Sequence, residues 1–130
     1  MTPIEILRTY RTFAVVGLSD RPERPSHSVA SFLKTRGYRI VPVNPNLHEV
    51  LGEVCYPDLR SIPFPVDVVD IFRRSALVAP IVDDAIAIGA RAVWMQLGVV
   101  DDQAAARARA AGLEVVMDRC PAIELKRAGI

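Results

Sequence analysis

Apolar residues along this chain follow two rhythms. Five short runs, Phe13-Ala14-Val15-Val16, Tyr38-Arg39-Ile40-Val41-Pro42-Val43, Val66-Asp67-Val68-Val69-Asp70-Ile71-Phe72, Ala92-Val93-Trp94-Met95 and Leu113-Glu114-Val115-Val116-Met117, are rich in β-branched and aromatic residues and predict strands. Between them the period lengthens. Val29, Phe32 and Leu33 recur at helical spacing and predict a helix from near Ser26 to Gly37. Further helices are predicted from about Ala76 to Ile88, ahead of Gly89 and with Pro80 in the first turn, and over Asp101 to Ala111, ahead of Gly112. Thr2-Pro3-Ile4-Glu5 has the layout of a capping box and predicts a short helix to about Thr9, while Pro121 opens a last one. From Leu47 to Pro65 the pattern weakens, punctuated by Gly52, Pro57, Pro63 and Pro65, with room for one short helix near Asp58 to Ile62.

Strands that are apolar on both faces and alternate with helices predict an α/β fold, a parallel sheet covered on both sides. Right-handed crossovers make it a three-layer, Rossmann-like doubly wound sheet, most simply in the order 3-2-1-4-5. Pro42 cannot donate to a ladder and marks an irregular point or the end of pairing in the second strand. In that order the chain reverses between strands 1 and 4, so ligands are expected beyond their carboxyl ends. Topology therefore selects Gly17 to Ser28, Asn44-Pro45, Phe72-Arg73-Arg74, Gln96-Leu97-Gly98 and Asp118-Arg119-Cys120.

Composition narrows the picture further. A chain of 130 residues, 51% hydrophobic, predicts one domain over residues 1–130 with a core of its own. A net charge of +1, with scattered basic residues, argues against a nucleic-acid or anionic-lipid footprint. No apolar run approaches the roughly 20 residues of a membrane span, and no secretory leader is visible at Met1-Thr2-Pro3-Ile4-Glu5, so a cytoplasmic protein is expected. Cys55 and Cys120 lie far apart and outside any zinc-ligand pattern.

The chemistry concentrates where the first strand feeds a helix. Backbone N–H groups and the positive end of a helix dipole converge there, which suits a phosphate. Ser19, Ser26 and Ser28 add hydroxyls, Arg21 and Arg24 add charge, and His27 could donate. Gly17 stands alone, however, without the other glycines of a dinucleotide fingerprint, and can equally be a tight exit from a strand. At the end of the second strand, where an acidic residue would hold the ribose of NAD, stands the neutral Asn44. It would spare a phosphorylated ribose the repulsion of a carboxylate; Asn44-Pro45 can also be a simple turn. Phe72, Arg73 and Arg74 could flank an adenine and meet a ribose phosphate, or form a solvated pair beside an aromatic ring. Gln96 and Gly98 are better contact candidates than Trp94 and Met95, which belong to core packing. Cys120 ahead of Pro121 is either a buried, inert thiol or one near the reactive end of a ligand. Asp67 and Asp70 point to opposite faces of one strand and cannot form an acid/base pair.

Taken together, Ala14-Val15-Val16-Gly17-Leu18-Ser19, Val41-Pro42-Val43-Asn44-Pro45, Val69-Asp70-Ile71-Phe72-Arg73-Arg74, Val93-Trp94-Met95-Gln96-Leu97-Gly98 and Val116-Met117-Asp118-Arg119-Cys120-Pro121 resemble the small, stand-alone coenzyme A-binding proteins. That family is similar to the N-terminal Rossmann-like domain of the succinyl-CoA synthetase alpha subunit. The resemblance implies that Gly17-Leu18-Ser19 and the helix start, with Arg24, Pro25, Ser26, His27 and Ser28, hold a pyrophosphate. It implies further that Asn44, Pro45, Phe72 and Arg73 lie near the ribose phosphate and adenine, and that Gln96, Leu97 and Gly98 guide the pantetheine arm. The synthetase's phosphorylated histidine lies in a further domain, so ligation chemistry is not implied. The expectation is a non-catalytic binder of coenzyme A or an acyl-CoA, with a homodimer or a partner enzyme left open. The alternatives are an NAD(P)-dependent oxidoreductase on the same fold, and thiol–disulfide exchange between coenzyme A and Cys120.

Overall fold

A computed structural model describes all 130 residues. The strands β1 (Thr12–Val16), β2 (Arg39–Val43), β5 (Val68–Ile71), β6 (Ala92–Met95) and β7 (Glu114–Val116) form one parallel sheet in the order β2-β1-β5-β6-β7. A two-stranded hairpin, β3 (Glu49–Val50) with β4 (Glu53–Val54), stands apart. Helices α1 (Pro3–Thr9), α2 (Pro25–Thr35), α3 (Val78–Ala87), α4 (Asp102–Ala110) and α5 (Pro121–Arg127) complete the chain, with short 3-10 turns at Leu59–Ser61 and Ser75–Leu77.

Counting only the large sheet, the strand order is 2-1-3-4-5, not the expected 3-2-1-4-5. The cause is visible in β2. Alternate residues of that strand face β1, as the Val43 carbonyl does when it accepts from Gly17 N–H at 2.9 Å, and Pro42 faces the other way. A proline with no N–H is tolerated on an outer edge and would break a central strand. Pro42 thus makes β2 a border, and β5 must pair with the other side of β1, with Ala14 opposite Val69 and Val16 opposite Ile71. The Pro42 carbonyl is not wasted: it accepts from Tyr56 N–H at 3.0 Å, and Asn44 N–H donates to the Tyr56 carbonyl at 2.9 Å. The point of reversal accordingly moves from strands 1 and 4 to β1 and β5.

The two-residue alternation of the strands sorts the core into two layers. Ala14, Val69, Ile71, Val93 and Met95 pack against Val78, Val82 and Ala85 of α3 and Ala104, Ala105 and Ala108 of α4. On the opposite face Phe13, Val15, Val68 and Trp94 meet Ile6 and Leu7 of α1, Ala30 and Leu33 of α2 and Leu125 of α5. Helix α1 has the predicted capping box, with Thr2 accepting from Glu5 N–H and Glu5 accepting from Thr2 N–H. Seven residues are too few for an isolated helix; burial of Ile6 and Leu7, each worth roughly 2 kcal/mol, holds it on the sheet. No helix is long and apolar enough to cross a membrane.

The hairpin fills the stretch where sequence pattern was weakest. Its two-residue turn places both Leu51 (φ 55°) and Gly52 (φ 76°) in the left-handed region, the geometry that matches strand twist in tight hairpins and that Asn-Gly usually announces. Lys34 of α2 fastens it, through an ion pair to Glu53 at 3.2 Å and a hydrogen bond to the Leu51 carbonyl at 2.5 Å.

Candidate functional site

The rim at the carboxyl ends of β1, β5 and β6 is built around Gly17. Its φ of +86° suits glycine, and a Cβ there would stand 2.6 Å from the Phe72 carbonyl oxygen and 3.1 Å from Arg73 Cδ. Only a residue without a side chain lets the exit of β1 press against the exit of β5. The loop beyond is tied by its own polar groups: Ser19 N–H donates to Ser26 Oγ at 3.0 Å, and Arg21 N–H to Ser19 Oγ at 3.1 Å. Asn44 clamps this loop from the end of β2, its Nδ2 donating to the Leu18 carbonyl at 3.1 Å while its Oδ1 accepts from Asn46 N–H at 2.9 Å.

Two clefts open on this rim and share Pro25, Phe72 and Arg73 as a common wall. The polar one, about 490 Å³, is lined by Gly17, Ser19, Arg21, Arg24, Ser26 and Asn44 together with that wall. The N-terminus of α2 faces it: no side chain caps the helix and no acidic residue lies in its first turn, so the positive end of the dipole is uncompensated. The second cleft, about 650 Å³, is more apolar and adds Val29, Leu97, Ile123, Gln96 and Cys120, with Arg74 and Lys126 at its border. Neither cleft contains a carboxylate or a histidine. Arg21 is paired with Glu23 at 2.8 Å, whereas Arg24, Arg73 and Arg74 make no ion pair. The rim thus sets unpaired positive charge beside an apolar trough.

The far end of the trough is fixed by contacts between the loops after β6 and β7. Gly98 N–H donates to Asp118 Oδ1 at 2.7 Å, and the Trp94 indole N–H donates to the Arg119 carbonyl at 2.8 Å. Asp118 adopts φ 57°, a conformation uncommon outside glycine. These ties set Cys120 as the N-cap residue of α5, 6% exposed, in the wall of the trough. Gln96, also 6% exposed, lines the same wall, and its Oε1 is buried without a hydrogen-bond partner.

Beneath this wall lies a carboxyl that sequence patterning did not single out as buried. Asp70, opposite Val15 and Trp94 in neighbouring strands, is fully buried with no partner for either oxygen. Loss of hydration pushes its pKa well above the usual carboxylate range. Asp67, as expected, points elsewhere: its Oδ2 accepts from Thr12 N–H at 3.1 Å at the opposite end of the sheet. Cys55 is buried as well, its Sγ within 3.5 Å of the Asn44 carbonyl, and burial raises the thiol's pKa.

Of the residues selected from sequence, Gly17, Ser19, Arg24, Pro25, Ser26, Asn44, Phe72 and Arg73 converge on the polar cleft, and Arg74, Gln96, Leu97, Gly98 and Cys120 on the trough. Pro45 lies in a third, smaller cleft of about 260 Å³ between the end of β2 and α3, which Gly17 and Arg73 also border. The Leu18 side chain is wholly in the core, leaving its backbone alone at the rim. His27 and Ser28 line none of these clefts, and the Ser28 hydroxyl donates to the Pro25 carbonyl at 3.1 Å within its own helix. Lys126, a helical position with no local signal, was missed; only the docking of α5 against α2 brings it to the trough.

Comparison with known proteins finds relatives in both sequence and fold. A family model described as "CoA binding domain" matches residues 11–126. The uncharacterized protein YneT of Bacillus subtilis is 40% identical over 116 residues, covering 89% of this chain and 86% of its own length. The acetate–CoA ligase (ADP-forming) II of Archaeoglobus fulgidus is 35% identical over 70 residues, 52% of this chain and 10% of the ligase. Among solved structures, a hypothetical protein from Pyrococcus horikoshii OT3 superposes with a TM-score of 0.93 at 39% identity, covering 98% of this chain and 92% of that one.

Proposed function

The chain belongs to the CoA binding domain family, and on that premise we propose that it binds coenzyme A or an acyl-CoA across the rim, without catalytic machinery of its own. The observation that carries this reading is the pairing of unlike clefts along one continuous wall. A ligand with an anionic head and a long, amide-bearing, weakly polar arm matches both at once. Arg24, Arg73, the Ser26 hydroxyl and the start of α2 suit the phosphates, because a carboxylate-free site with unpaired guanidinium groups stabilises anions by charge-assisted hydrogen bonds. Phe72 supplies an aromatic face, and the adenine lies toward Pro45 and Arg73, where the third cleft opens. The trough receives the pantetheine arm beside Gln96, whose buried Oε1 has no partner in the protein and is satisfied once the side chain turns to an amide N–H of the arm.

The absence of carboxylates and histidines from both clefts leaves no general base beside the arm, which supports binding rather than turnover. Titration calorimetry against coenzyme A, dephospho-coenzyme A and NADP tests the proposal. Coenzyme A is expected to bind at least tenfold more tightly than either of the others; equal affinities, or no binding of any, would overturn it.

A further inference from the structure

Cys120 is the one thiol in the wall of the trough, and it does not line the polar cleft. It does not stand there alone. Gln96, 94% buried by its 6% exposure, lines the same wall, and its side-chain oxygen is buried with no partner in the protein, which leaves one polar group there to be satisfied. The other cysteine differs in each respect: Cys55 lines none of the clefts, and its sulfur lies against the Asn44 carbonyl. A thiol-terminated arm entering past Phe72 and held at Gln96 would bring its sulfur toward Cys120 and away from Cys55.

From this arrangement, and resting on the coenzyme A reading above, we propose that Cys120 forms a reversible mixed disulfide with the thiol end of the bound cofactor. The oxidant is the cofactor's own symmetrical disulfide. Cys120 loses its proton to solvent, and its Sγ attacks one sulfur of the coenzyme A disulfide. The sulfur–sulfur bond breaks as the new one forms, and the second coenzyme A leaves as a thiolate that takes up a proton. Cys120 is oxidised and the departing half is reduced, so the step is balanced without a further redox partner. The protein thereby becomes a covalent, reductant-releasable holder of the cofactor, with occupancy set by the local ratio of oxidised to reduced thiol.

The test is intact-mass spectrometry with peptide mapping after incubation with coenzyme A disulfide, run beside glutathione disulfide at the same concentration. One coenzyme A moiety per chain is expected, mapped to Cys120, removed by dithiothreitol, and formed at least tenfold faster than the glutathione adduct. The adduct should persist in Cys55→Ser and vanish in Cys120→Ser, and Gln96→Leu should slow it with coenzyme A disulfide while leaving the glutathione reaction unchanged. Wild-type protein that binds reduced coenzyme A in the calorimeter yet gains no mass at Cys120, or reacts equally fast with glutathione disulfide, would sink this inference and leave the binding proposal standing. A chain that binds no reduced coenzyme A would remove the binding proposal itself.

Discussion

At the scale of single residues, Gly17 and Asp70 carry the sharpest expectations. Substituting Gly17→Ala places a methyl group 2.6 Å from a backbone carbonyl while forcing φ +86° on a residue that resists it. The expected cost is about 2 kcal/mol of stability, read by urea denaturation, with coenzyme A affinity lowered at least tenfold as Phe72 and Arg73 are pushed outward. An unchanged midpoint and affinity would show that the two strand exits can part freely. Asp70 links the core to pH. Because its folded-state pKa lies above the unfolded value, the native state is favoured below about pH 4 and loses stability as pH rises toward the folded value. Glu5 and Asp58, whose pKa values are lowered by hydrogen bonds to Thr2 and Ser61, act with the opposite sign and matter only as pH falls. Asp70→Asn should therefore flatten the decline above about pH 4 in a denaturation series; a variant that kept the wild-type slope would assign it to another group. Asn44 shows where residue type alone falls short. Its neutrality was legible in the sequence, but its use as a clamp from β2 to the β1 loop depends on a partner 26 positions away.

Among the elements, boundaries set by local chemistry were readable and those set by distant pairing were not. The capping box of α1, the proline that opens α5 and the aspartate ahead of α4 announce their helices. Asp101 Oδ1 accepts from Ala104 N–H at 2.9 Å, so Asp101→Ala should cost about 1 kcal/mol, seen as a lower thermal midpoint. No change would mean that packing of Ala104, Ala105 and Ala108 alone fixes the helix. The hairpin escaped notice because its turn is Leu-Gly, and leucine gives no hint of a left-handed backbone. Strand order escaped for a different reason: Pro42 was recognised as a poor donor, but the consequence that β2 must be a border strand had to be drawn from the whole sheet. The contact of Gly17 with Phe72 and Arg73 belongs to the observed order alone, because β5 lies directly beside β1; in the expected order β2 would have stood between them.

For the molecule as a whole, the clefts are already shaped by the fold, so a ligand should stabilise it by mass action rather than remodel it. At a hundred times its dissociation constant, coenzyme A would add about 2.7 kcal/mol, a rise of roughly 10 °C in the thermal midpoint for a chain of this size. A saturating titration that left the midpoint in place would argue that the cofactor binds unfolded and folded chains alike. Trp94 offers a way to watch this happen. It is the chain's single tryptophan, and its indole is tied to the residue immediately before Cys120. Strain delivered to that loop by a visiting sulfur reaches the fluorophore through this bond, so the protein contains its own optical gauge and needs no attached dye.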